Sequence, residues 1–63
     1  MRFQACPCCG SHTLSKRGAY EICSVCNWED DPVQAKDPDF RGGANGSSLN
    51  EARAAWRQRK EQG

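Results

Sequence analysis

Sixty-three residues, with hydrophobic types at 37% and aromatics at 8%, allow one small domain whose core is too slight to fold without a staple. A formal charge of +1 at pH 7 excludes a protein that coats nucleic acid by bulk charge. No apolar run approaches the ~18 residues of a spanning helix, and no charged start leads into an apolar stretch, so a cytoplasmic, non-membrane protein is expected.

The staple is written in the cysteines, Cys6, Cys8, Cys9, Cys23 and Cys26. Four of them form two Cys-x2-Cys pairs, Cys6/Cys9 and Cys23/Cys26. A two-residue gap lets a tight turn present both sulfurs on one side, with backbone N–H groups aimed at them. Two such turns supply the four tetrahedral thiolates that one structural Zn²⁺ takes, so Cys6, Cys9, Cys23 and Cys26 are the expected ligands. Pro7 fixes a backbone angle inside the first turn, and Gly10 takes positive φ freely just after it. Asn27 holds the same place in the second turn and is the non-glycine residue that best tolerates that region. The odd cysteine count and the expected reducing compartment argue against a disulfide framework. A redox pair is the rival reading of Cys-x2-Cys, and iron is compatible with four thiolates.

Cys8 is left over. Its expected role is a small buried residue beside the metal, with an exchangeable ligand or a reactive thiol as the alternative. His12 lies three residues after Cys9 and is expected as a partly exposed hairpin residue, since four cysteines already complete the shell. Between the pairs, Thr13, Leu14, Tyr20 and Ile22 favour strands around a polar Lys16-Arg17-Gly18 turn. This predicts a β-hairpin with one knuckle near each end, the zinc-ribbon arrangement. Trp28 is expected to cover the metal site or to pack against the C-terminal segment.

From Glu29 to Phe40 the composition turns acidic, and Pro32 and Pro38 each follow an Asp. This predicts a solvated acidic loop with at most one helical turn. Arg41-Gly-Gly-Ala-Asn-Gly46 continues the loop, with tight turns rather than a phosphate cradle as its expected role, because the P-loop lysine is absent. Ser48 followed by Glu51 is a capping box, and Leu49, Ala52 and Trp56 recur at helical spacing. The pattern predicts a helix over about 48–61 that turns those three residues toward the ribbon, where they meet Trp28 or Phe40. The expected whole is one α+β domain over residues 1–63. Its ribbon covers about 1–30, its acidic and Gly-rich loop about 29–47, and its one helix the remainder.

With these pieces in place, the chain resembles the cysteine-rich CPCC family of small bacterial proteins. The motifs are Cys6-Pro7-Cys8-Cys9-Gly10, Gly18-Ala-Tyr-Glu-Ile-Cys23, Cys26 with Trp28-Glu29-Asp30-Asp31, and Arg41-Gly-Gly-Ala-Asn-Gly46 leading to Leu49-x-Glu51-Ala52-Arg53. The resemblance implies a compact metal-binding domain in which Cys8 and the Trp28–Asp31 run are recurring parts. Two positions depart from the pattern, Ala55 where Asn is common and Trp56 where Tyr or Phe is usual.

For function, four thiolates leave no open metal position for a water, so an enzyme is not expected. A hydrolase would need Glu29, Asp30 or Asp31 together with His12, and no spacing brings them to an open metal. The leading expectation is a zinc-stabilised module that binds a protein partner, by analogy an accessory or antitoxin-like protein. Its acidic loop, including Asp30 and Asp31, and its basic helix would form the surface. The alternative is a nucleic-acid-binding ribbon using Arg53, Arg57, Arg59 and Lys60, helped by Arg2, Lys16 and Arg17. Cys8-dependent thiol chemistry stands behind both.

Overall fold

Each cysteine pair closes a hairpin of its own, and the two hairpins share one backbone design. In the first, the Cys6 amide donates to the Ser11 carbonyl at 2.8 Å and the Gly10 amide returns to the Cys6 carbonyl at 2.8 Å. In the second, Cys23 donates to Trp28 and Asn27 returns to Cys23, both at 2.9 Å. The residue after each pair is left-handed, with φ of +82° at Gly10 and +66° at Asn27. These contacts belong to a computed structural model that describes residues 3–62; Arg2, counted among the cations, lies outside the described residues.

The strands therefore flank the first knuckle instead of linking the two. Strand β1 (Gln4–Ala5) pairs antiparallel with β2 (His12–Leu14), and a single bridge joins Ile22 to Glu29 across the second knuckle. The hairpin expected between the knuckles is replaced by a turn. β2 ends at Leu14, residues 15–19 are turns and bends, Tyr20 takes φ +59°, and the Glu21 carboxylate accepts the Ser15 amide at 3.0 Å and the Lys16 amide at 2.9 Å. That side chain does the work a partner strand would have done.

Register in the β1–β2 pair is irregular, with Gln4 opposite Leu14 and Ala5 opposite His12. Thr13 is the unopposed residue, as in a β-bulge. Simple alternation would send His12 and Leu14 to the same face. With the bulge, His12 is exposed while Leu14 is 1% exposed and enters the core.

The acidic segment is folded tightly. Asp31 caps a short helix, α1 (Pro32–Lys36), through its Oδ1, which accepts the Val33 amide at 2.8 Å, with Pro32 at the first helical position. Gln34 is completely buried. Its Nε2 donates to the carbonyls of Phe40 and Ser47, both at 2.9 Å, and its Oε1 accepts from Asn45. Asn45 in turn pairs with both backbone groups of Glu29, at 3.0 Å and 2.8 Å, as a neighbouring strand would. The solvated acidic loop expected from composition is thus overturned for Asp30 and Asp31, which are 3% and 4% exposed. Backbone donors supply the compensation that buried carboxylates require. Gly18 reaches Asp30 at 2.6 Å and Ala44 reaches the second oxygen of Asp31 at 2.8 Å.

The second helix, α2 (Leu49–Gln62), starts where the capping box placed it. The Glu51 amide donates to the Ser48 hydroxyl at 3.1 Å, and the Ser48 amide donates to Glu51 Oε1 at 2.8 Å. Leu49 is buried against Cys6, Leu14, Cys23 and Trp28, with Ala52 packed alongside. Phe40 stays outside this core and lies instead over Gly42, where an added Cβ would stand 2.7 Å from its ring.

Candidate metal centre

The two knuckles point their sulfurs at one another. The Sγ atoms of Cys6, Cys9, Cys23 and Cys26 all lie within 4.8 Å of one another. Two approaches cross between knuckles, Cys6 to Cys26 at 3.6 Å and Cys9 to Cys23 at 3.7 Å. Ligands about 2.3 Å from a tetrahedral ion stand about 3.8 Å apart, so these separations are edges of such a tetrahedron. They are far longer than the ~2.05 Å of a disulfide. The four cysteines are positioned to bind a metal ion.

Backbone and side-chain donors surround the cluster in the way thiolates require. The Cys8 amide lies 3.4 Å from the Cys6 sulfur, and the Val25 amide lies 3.4 Å from the Cys23 sulfur, the same contact repeated in both knuckles. Thr13, turned by the bulge, donates its hydroxyl to the Cys23 sulfur at 3.0 Å. These donors divide the sulfurs. Burial pushes the Cys6 thiol up to about 12, with neighbouring Cys26 adding to the rise and the amides of Cys9 and Cys8 opposing it. Burial likewise takes Cys26 to about 12. Burial acts the same way on Cys23, but the Thr13 hydroxyl and the Cys26 and Val25 amides outweigh it and bring that thiol down to about 6. Shared burial and mutual contact disfavour four simultaneous thiolates without a cation, and Cys23 is the sulfur to which the Thr13 hydroxyl and the Val25 amide donate. Four thiolates this close together need a positive ion between them, and the donor set fits one.

Cys8 lies outside the four-sulfur group. It is half-buried and packs against the core beside Cys9 and Cys26, and burial raises its thiol. It touches the cluster through its amide, which faces the Cys6 sulfur, and through its thiol, which meets the Cys26 sulfur. His12 is exposed, with Nδ1 at 3.0 Å from the Phe3 carbonyl, and takes no part in the cluster. Of the carboxylates considered for catalysis, Asp30 and Asp31 are engaged with backbone amides, and Glu29 is not among the residues grouped at the cluster.

The helix cations serve several purposes. Arg53 donates its Nε to the Pro7 carbonyl at 2.8 Å, tying α2 to the first knuckle, and the Arg59 guanidinium lies 5.6 Å from the centre of the Trp56 ring. Arg57 and Lys60 are exposed. Sequence reasoning missed Thr13 as a donor to this centre, Arg53 as the tie from α2 to its first knuckle and Gln34 as the anchor of the following loop. A hydroxyl in a strand, one cation among several on a helix and a polar residue in a five-residue helix carry no motif.

No helix among the described residues is long and apolar enough to cross a membrane. A family model described as Cysteine-rich CPCC matches residues 4–59, and the chain belongs to that family. Among curated proteins none matches the chain.

Proposed function

We propose that this chain is a zinc-stabilised binding module of zinc-ribbon type that presents its surface to a protein partner and carries out no chemistry at the metal. The closed group of four sulfurs carries the reading. Sites of four thiolates are structural zinc sites, whereas catalytic zinc keeps a position for water. With the shell complete, the ion's work is to hold the two knuckles, and through Arg53 and Leu49 the helix, in one arrangement.

Protein binding is supported by apolar side chains along the second hairpin. Tyr20, Ile22 and Val25 are 52%, 63% and 43% exposed although each is of a type that cores normally take up. Asp30 and Asp31 leave this surface, being buried. The nucleic-acid reading has less to stand on. Two of the four α2 cations are already engaged, Arg53 through its Nε with the Pro7 carbonyl and Arg59 over Trp56, and Arg57 and Lys60 are exposed without aromatic side chains interleaved for base stacking.

The test is affinity capture from the native host with the zinc-loaded chain and an Ile22→Asp/Val25→Asp double variant shown to retain its metal. A discrete protein captured by the wild type and lost in the double variant supports the reading. Equal capture by both contradicts it, as does salt-sensitive retention of DNA or RNA abolished by Arg57→Gln/Lys60→Gln.

A further inference from the structure

We propose that the groove between the turn at residues 15–18, α1 and α2 binds a nucleoside phosphate of mononucleotide size. The groove has a volume of about 720 Å³, within the ~300–1,000 Å³ of small-molecule sites. Three cations line it from three separate segments, Arg17 from the turn, Lys36 from α1 and Arg53 from α2. Among the described residues Arg41–Glu51 is the one ion pair, so none of these three cations is in a salt bridge.

The arginines are positioned by their inner nitrogens. Arg17 Nε donates to Gln4 Oε1 at 3.2 Å, and Arg53 Nε donates to the Pro7 carbonyl at 2.8 Å. Both guanidiniums are thereby fixed before a ligand arrives. The outer nitrogens of Arg17 make no bond to the described residues, and Arg53 makes only a long 3.5 Å contact from Nη1 to Asn50. Fixed guanidiniums with outer N–H groups to spare suit a phosphate, which accepts paired hydrogen bonds.

The rest of the lining selects more than an anion. Pro32 and Ala35 give an apolar wall, and the Asp30 carboxylate also lines the groove while its Oδ2 accepts the Gly18 amide at 2.6 Å. A bare inorganic anion has no use for the wall and is repelled by Asp30. A nucleoside phosphate uses every part: phosphate on the cations, a ribose hydroxyl or base amine donating to Asp30, and the base against Pro32 and Ala35. The groove shares no residue with Tyr20, Ile22 and Val25, so its test stands apart from the protein-binding reading.

The experiment is an NMR titration of the ¹⁵N-labelled, zinc-loaded chain with ADP, inorganic phosphate and a short single-stranded oligonucleotide in parallel. Saturable shifts with ADP at Gly18, Ala35 and Lys36 and at the Arg17 and Arg53 Nε signals are expected, with weaker binding of inorganic phosphate. Lys36→Gln replaces an exposed residue, and its fold is checked by metal content. It should bind ADP about tenfold more weakly, the loss of one charge-assisted contact. Lys60→Gln, outside the groove, should bind as the wild type does. Absent or non-saturating shifts, inorganic phosphate binding as tightly as ADP, the oligonucleotide binding more tightly than ADP, or equal losses in both lysine variants would each overturn the proposal.

Discussion

Thr13 supplies a side-chain hydrogen bond to one sulfur of the cluster, Cys23. Its hydroxyl lies 3.0 Å from the Cys23 sulfur and lowers that thiol against the burial that raises it. Such outer partners of metal ligands are typically worth about 10–100-fold in affinity. Thr13→Val keeps the β-branched shape and removes the donor, so zinc affinity measured against a chromophoric chelator should fall about tenfold, with Thr13→Ser restoring most of it. Equal affinity in the valine variant would remove Thr13 from the centre. The four clustered sulfurs were legible in the sequence because spacing, Pro7, Gly10 and Asn27 are local requirements of one turn. Thr13 was not legible. Its direction depends on a bulge that exists only once β1 and β2 pair, and no run of residues encodes that.

Among the elements, helix α2 was readable and the segment before it was not. Ser48 and Glu51 write the capping box within four residues, and both reciprocal bonds form. Glu51 also receives Arg41 Nε at 3.0 Å, so the residue that caps the helix also fastens the end of the loop. Ser48→Ala should cost about 1 kcal/mol by chemical denaturation of the metal-loaded protein. The loop was misread as solvated because its charge is high, whereas its fold is built on satisfied polar groups around Gln34. Gly43 marks how tightly the loop wraps. An added Cβ would stand 2.6 Å from both Gln34 Cγ and Cδ and would also meet Asp31. Gly43→Ala is therefore predicted to destabilise by about 2 kcal/mol, the usual scale of overpacking, and to lower the melting temperature. An unchanged melting temperature would mean that the loop does not pack against Gln34 this way in solution.

At the scale of the whole molecule, the core explains the need for an ion. Among the described residues the buried hydrophobics are Cys6, Leu14, Cys23, Trp28 and Leu49, and two of these five belong to the sulfur cluster. Three large side chains at about 1.5–3 kcal/mol each do not offset the ordering of the chain. The Trp28 indole N–H is moreover buried without a hydrogen-bond partner, which subtracts from that small gain. Metal binding must therefore be coupled to folding, and it must also release protons. Cysteine thiols of the metal-free chain, with an ordinary pKa of about 8.5, are mostly protonated near pH 7 and must be stripped to ligate the ion. Loading in weakly buffered solution should release two or more protons per metal, and apparent affinity should fall about a hundredfold or more per pH unit of acidification. Release of fewer than two protons, read with an indicator dye, would be inconsistent with four thiolate ligands.

The carboxylates act in the same direction. The Ala44 amide holds Asp31, and the Ser48 amide holds Glu51, below the ordinary carboxylate range. A group lowered on folding stabilises the fold above its unfolded pKa and loses that contribution as pH falls through its folded value. Acid should thus weaken the metal site first, then the loop and the helix cap.

The central claim is a closed site of four cysteines that leaves Cys8 out. Native mass spectrometry of the wild type beside Cys8→Ser, with metal and free-thiol counting, tests it most directly. The account predicts one zinc in both proteins and a single free thiol present in the wild type and lost in the variant. A wild type that carries no metal, or a Cys8→Ser protein that loses it, would contradict the assignment and place Cys8 among the ligands.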